Sequence, residues 1–216
     1  MDEFTLIQKI IIYSIPVIFA ITVHEVAHGW MASRLGDQTA RMMGRLTLNP
    51  IRHIDPVGTI MVPIVMLMFT PFMLGWAKPV PVDWRNLRRP RRDMAWVAVA
   101  GPAANLLMLV IWAMLAKVIL LSRAGNTEYG LPFMAMAMAG IMINIVLIVL
   151  NLLPVPPLDG SRIVSSLLPP RTAIMYNRLE PYGLMIVLVL MATGILGDIM
   201  MPAITVLQNV VHRMVL

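Results

Sequence analysis

The chain has 216 residues, 59% of them hydrophobic and 13% charged, with a formal net charge of +6 and no cysteine. A soluble domain is about 45–50% apolar and about a quarter charged, so this composition excludes an ordinary soluble globule and points to an all-α polytopic membrane protein, one integral-membrane domain over 1–216. The missing cysteines exclude disulfides, cysteine zinc sites and thiol nucleophiles.

The start, MDEFTLIQKI, sets Asp2 and Glu3 ahead of Lys9, a poor signal-peptide n-region with no small-x-small cleavage site after it. The apolar run that follows is therefore expected to stay as a membrane helix over about 6–32. Three further segments are long enough to cross, about 94–121, 132–157 and 182–207. A fifth apolar stretch, 57–76, is interrupted by Pro63 and Pro71 and runs into KPVPVDW, which reads as extended chain because proline cannot donate and restricts its predecessor. The 21 methionines read as gap-fillers between packed helices.

Lysine and arginine choose between two topologies. If 57–76 crosses, the cations split almost evenly between the two faces. If it dips in and returns, the loops 34–56, 77–93 and 158–181 share one face and collect most of the cations, leaving Lys9, Lys117, Arg123 and Arg213 on the other. The positive-inside rule favours the second arrangement, with the cation-rich face toward the cytoplasm. About four full transmembrane helices plus a re-entrant segment at about 57–82 is the expected fold. Irregular backbone at that depth needs protein or a wet cavity to cover it. The run RNLRRPRRD (85–93) reads as an anchor at anionic headgroups of the lipid bilayer. It has no aromatic interleaving, so no nucleic-acid partner is expected.

Inside the first helix stands HEVAH. His24 and His28 are i and i+4, so on a helix their imidazoles leave one face. That spacing lets both bind one Zn²⁺ with Glu25 beside them as general base. The plain alternative is a hydrogen-bonded histidine pair in a bundle. Charge at membrane depth costs about 2.5–3.5 kcal/mol, which makes an intramembrane Glu between histidines a functional signal.

A third ligand must come from elsewhere. In NLLPVPPLDGSR (151–162) a hydrophobic helix is broken by Pro154, Pro156 and Pro157, and Asp159 follows. Breaking the helix can turn that carboxylate back into the bundle; equally, Asp159–Gly160 can be a surface turn. His212 falls at the far end of the chain. His53, a loop histidine between Pro50 and Pro56, reads as a satisfied surface residue that could also cap the cavity or approach a metal. Asn105 reads as an interhelical packing group. Asn151, eight residues before Asp159 at the mouth of the broken helix, is assigned a catalytic role ahead of packing.

HEVAH (24–28), AGPAAN (100–105) and NLLPVPPLDG (151–160), in this order, resemble the signature set of the site-2 protease family of intramembrane zinc metalloproteases. GRLTLNPIRHIDPVGT (44–59) and GWAKPVPV (75–82) resemble its small members without PDZ or CBS domains. The resemblance implies one Zn²⁺ per chain held by His24, His28 and Asp159, with Glu25 as the base. It implies that Asn151 stabilises the oxyanion or positions substrate. It also implies a re-entrant β-segment, possibly a hairpin, between the HExxH and GPxxN helices. The expected activity is hydrolysis of peptide bonds within or near transmembrane segments of membrane-protein substrates, in the cell's inner or plasma membrane, with the active site toward the cytoplasm. The alternatives are a membrane metal-ion transporter, which would line several helices with polar groups, and a catalytically inactive membrane scaffold.

Overall fold

The computed structural model describes residues 4–61, 77–122, 127 and 129–215, and among them every regular element is helical. Helix α1, Leu6–Leu35, starts at a capping box in which Thr5 Oγ1 accepts from the Gln8 amide and Gln8 Oε1 accepts from the Thr5 amide. It ends at Gly36, whose φ of 122° lies in the region that L side chains avoid. Its 30 residues give a rod of about 45 Å, longer than the ~30 Å hydrocarbon layer.

One turn of helix follows, α2 at Thr39–Met42, then a 3₁₀ turn at Pro50–His53 and a π-helical turn at Pro56–Met61. Residues 77–83 form neither helix nor strand; after them and a 3₁₀ turn at Trp84–Asn86, α3 covers Pro90–Leu121 and α4 covers Gly130–Asn151. The rest comprises α5 (Asp159–Leu167), α6 (Pro170–Asn177), α7 (Gly183–Ala192) and α8 (Ile195–Val215).

Helices α1, α3 and α4 pack against one another in all three pairs, α5 lies against α3, and α8 lies against both α3 and α4. Small residues allow the approach. Ala113, Ala116 and Ala137 are almost wholly buried, and a Cβ added at Gly140 would sit 2.3 Å from Cδ2 of Trp112. The core between α3, α4 and α8 is filled by Leu109, Ile145, Met200 and Ile204.

Five helical stretches among the described residues, one more than expected, are long and apolar enough to cross a membrane: 7–35, 90–121, 130–151, 170–192 and 195–215. The chain is a multi-pass membrane protein. The single crossing expected over 182–207 is broken at Thr193 and Gly194. There Gly194 has φ 81° and the Thr193 hydroxyl donates to Val189 O, closing α7. The ten residues of α7 rise about 15 Å, half a hydrocarbon layer, so within 170–192 a crossing needs the turns before it as well. At the other end Lys117 Nζ donates to Met214 O at 2.9 Å, which brings the C-terminus of α8 level with the end of α3. Lys117 and Arg213 therefore share one end of the bundle. The helix expected over 132–157 stops at Asn151. The centre of the expected re-entrant segment, 62–76, lies outside the described residues, and the expected hairpin with it.

Candidate metal centre

His24 and His28 lie one turn apart on α1 with ring centroids 4.6 Å apart and planes at 84°. Their Nε2 atoms are 3.0 Å from each other, and each is 3.3 Å from Oδ2 of Asp159. Asp159 is the first residue of α5, delivered there by the turn that follows α4. Gly160 makes the approach possible, since a Cβ on it would fall 2.2 Å from Leu152 O. The structure thus turns the Asp159 carboxylate into the bundle, where the sequence left a surface turn equally open.

The tautomers follow from the partners. Asn105 is fully buried, and its Nδ2 donates to Ala20 O (3.2 Å) and to Asn144 Oδ1 (2.9 Å). That leaves Oδ1 as the acceptor facing His24 Nδ1 at 2.6 Å, so the His24 proton sits on Nδ1. His28 Nδ1 donates to Val97 O at 2.7 Å. Both Nε2 atoms then present bare lone pairs toward each other and toward a carboxylate oxygen that is buried with no hydrogen-bond partner. Three acceptors facing one another without a proton repel, and a cation among them removes the conflict.

The dimensions agree with that reading. Tetrahedral zinc with bonds of 2.0–2.1 Å sets its ligand atoms about 3.3 Å apart, against 3.0, 3.3 and 3.3 Å here. Two imidazole nitrogens and one carboxylate oxygen suit zinc and leave a fourth position open. Among the described residues these three are the His, Asp and Glu side chains whose ligand atoms converge within 4.8 Å. The site fits a zinc ion.

Room for two imidazoles against α3 comes from Gly101. A Cβ there would lie 2.4 Å from His28 Nε2 and 2.5 Å from His24 Cε1. Val97, Gly101 and Asn105 stand four apart and share one face of α3, supplying in turn a carbonyl, a gap and an amide.

Glu25, half-buried on α1, accepts a hydrogen bond at Oε2 from the main-chain N–H of Val80 at 2.8 Å. Asn151 closes α4, half-buried, and its Nδ2 donates to Leu147 O one turn back in its own helix. His53 is buried rather than a surface loop residue, and it stays out of the metal cluster. Its Nε2 donates to Thr47 O, and its carbonyl accepts from the Lys78 amide. Sequence reasoning missed Asn105 as the partner of His24 and Val80 as the partner of Glu25. For Asn105 the signal was present, since it ends AGPAAN on the same helical face as Gly101. For a backbone amide there was none.

Comparison with known proteins gives a consistent result. The model of peptidase family M50 matches residues 114–194, a stretch that includes Asn151 and Asp159. The chain is 38% identical to "Putative zinc metalloprotease YwhC" of Bacillus subtilis, over 87% of this chain and 83% of that protein. It is 30% identical to "Putative zinc metalloprotease Rip2" of Mycolicibacterium smegmatis, over 83% of this chain and 66% of that protein. No solved structure matches.

Proposed function

This chain belongs to peptidase family M50, the site-2 protease family, and we propose from that premise that it is an intramembrane zinc metallopeptidase cutting membrane-protein substrates within or near their transmembrane segments. The observation that carries the reading is the convergence of two bare imidazole Nε2 atoms and an unpartnered carboxylate oxygen, with Glu25 adjacent in sequence to His24.

His24, His28 and Asp159 hold one zinc ion per chain. When bound, the ion supplies Lewis acidity, which acidifies water and polarises a peptide carbonyl. Glu25 takes the proton of the attacking water and delivers it to the leaving amine nitrogen. Asn151 keeps a second Nδ2–H beyond the one spent on Leu147 O, and we assign it to the carbonyl oxygen of the scissile peptide. Asn105 and Val97 keep the imidazole protons on Nδ1, away from the ion. The substrate arrives locally unwound, because an intact helix locks its peptide groups in i to i−4 hydrogen bonds. The site lies in the cell's inner or plasma membrane and opens to the cytoplasmic side, a reading supported by the cation-rich loops 34–56, 77–93 and 158–181.

The test combines metal content with cleavage. Wild type, Glu25→Gln and Asp159→Ala are purified in detergent, assayed for zinc and incubated with single-span model substrates. Wild type and Glu25→Gln should each carry about one zinc per chain, Asp159→Ala should carry less, and wild type alone should cleave. Zinc in wild type without cleavage of any substrate would point instead to ion transport or to a catalytically inactive scaffold.

A further inference from the structure

Between Ala77 and Asp83 the chain forms neither helix nor strand, and its sequence AKPVPVD puts prolines at 79 and 81. Proline has no N–H, so across Pro79–Pro81 Val80 supplies the only main-chain donor. That donor points at Glu25 Oε2, 2.8 Å away. The Val80 side chain is buried against α1, and a Cβ on Gly29, one turn beyond Glu25, would lie 2.6 Å from Val80 Cγ1.

The strap is tied on both sides of this contact. The Lys78 amide donates to His53 O at 2.8 Å. Arg45 Nη2 donates to Lys78 O at 3.1 Å and to Pro79 O at 3.4 Å. Downstream the Asp83 amide donates to Asp37 Oδ2 at 2.8 Å. Asp37 is itself fully buried just beyond α1 and also accepts from the Thr39 amide, the Thr39 hydroxyl and Asn86 Nδ2. A segment with its donors spent this way, and with two fixed proline φ angles, is a brace and not a loose loop.

We propose that the Val80 main-chain N–H is the positioning group for Glu25, and that Arg45, His53 and Asp37 act through it by fixing the strap. This rests on the reading of Glu25 as the base. A glutamate side chain has three rotatable bonds and loses that freedom each time it meets the reacting atoms. Anchoring Oε2 to a fixed amide removes most of the search and leaves Oε1 for the proton, since an ionised carboxylate offers about four acceptor sites and the amide takes one. The neighbouring ligands His24 and His28 cannot serve as the anchor, because their Nδ1 hydrogens are committed to α3.

The decisive variant replaces the peptide amide of residue 80 with an ester, by incorporating the α-hydroxy acid counterpart of valine into the full-length, zinc-loaded protein. The side chain stays and the N–H is lost. The expected result is a kcat on a single-span model substrate lower by about tenfold or more, with KM and zinc content unchanged. Val80→Ala, which trims the side chain and keeps the N–H, should lose less than the ester. A second measurement needs no turnover: hydrogen exchange at the Val80 amide should be slow in wild type and at least about tenfold faster in Glu25→Ala. Equal exchange in those two proteins overturns the contact. Undiminished kcat in the ester overturns the positioning role, and raised kcat would make the strap a cap on a resting base. If wild type cleaves nothing, the protease reading fails, and the exchange comparison still decides whether the amide holds Glu25.

Discussion

Asn105 Oδ1 and His24 Nδ1 meet at 2.6 Å across 81 residues of sequence, and the contact fixes which nitrogen of His24 is bare. Removing it frees the imidazole to rotate and to take the other tautomer. Partners of this kind are worth about 10–100-fold in metal affinity. Asn105→Ala should weaken zinc binding by that factor in a competitive chelator titration. It also leaves Asn144 Oδ1 without its donor, so the variant should melt earlier as well. A variant with wild-type affinity would show that α3 does not set the tautomer.

Gly101→Ala tests the space and not the chemistry. The added methyl would sit 2.4 Å from His28 Nε2, with the ring held between α1 and α3. Overpacking of this kind costs about 1–3 kcal/mol where the neighbours can move at all. Here the atoms that must move are the ligands. Zinc content after dialysis against a weak chelator should fall well below that of wild type. Gly197→Ala on α8 is the matched control, because a Cβ there meets nothing within 4 Å. It should leave zinc content alone and hold or slightly raise the melting temperature, since alanine favours helix over glycine.

Burial pushes the Asp37 carboxyl up, but hydrogen bonds from Thr39, Asn86 and the Asp83 amide outweigh it and hold the group below the usual carboxylate range. A carboxyl with a lower pKa folded than unfolded stabilises the fold above the unfolded value, about 3.9, and that contribution is lost as pH falls through the folded value. Asp37→Asn should therefore be less stable than wild type at pH 7. The gap between their melting temperatures should hold down to about pH 4 and close below it. A gap that stays constant to strongly acidic pH would mean that the charge of Asp37 is not what ties the strap.

Not every ion pair near the site should matter. Arg162, one turn after Asp159, pairs with Glu180, and its Cζ lies 5.5 Å from the Trp84 ring centroid. The side chains are 22% and 40% exposed, and pairs so wetted are worth about 0.2–1 kcal/mol. Arg162→Ala should lower the melting temperature by under about 4 °C and leave zinc content unchanged. Loss of zinc in this variant would show that Arg162 sets the position of α5.

The helical spacing of His24 and His28 and the proline break before Asp159 were readable because periodicity and chain-breaking are local properties of sequence. The break at Thr193 and Gly194 carried a signal, a threonine–glycine step inside an apolar run, but hydropathy alone passes over it. His53 was misjudged as a surface group because its burial depends on the strap folding back over it, which Pro50 and Pro56 do not specify. Val80 was illegible for a deeper reason. Its function would lie in an N–H that any other valine or isoleucine position could equally present, and only the fold decides which one faces a carboxylate.

The stripe of Val97, Gly101 and Asn105 ties the site to the axial register of α1 on α3. Both imidazoles on α1 take their orientation from α3, through contacts at two heights along the same face. Sliding α1 past α3 by a single turn, about 5.4 Å, would carry each ring away from its acceptor and drive one of them off the gap at Gly101. Both ligands would be disarmed together. The pair of helices therefore behaves as a vernier scale with one aligned setting, the one register in which both rings meet their acceptors.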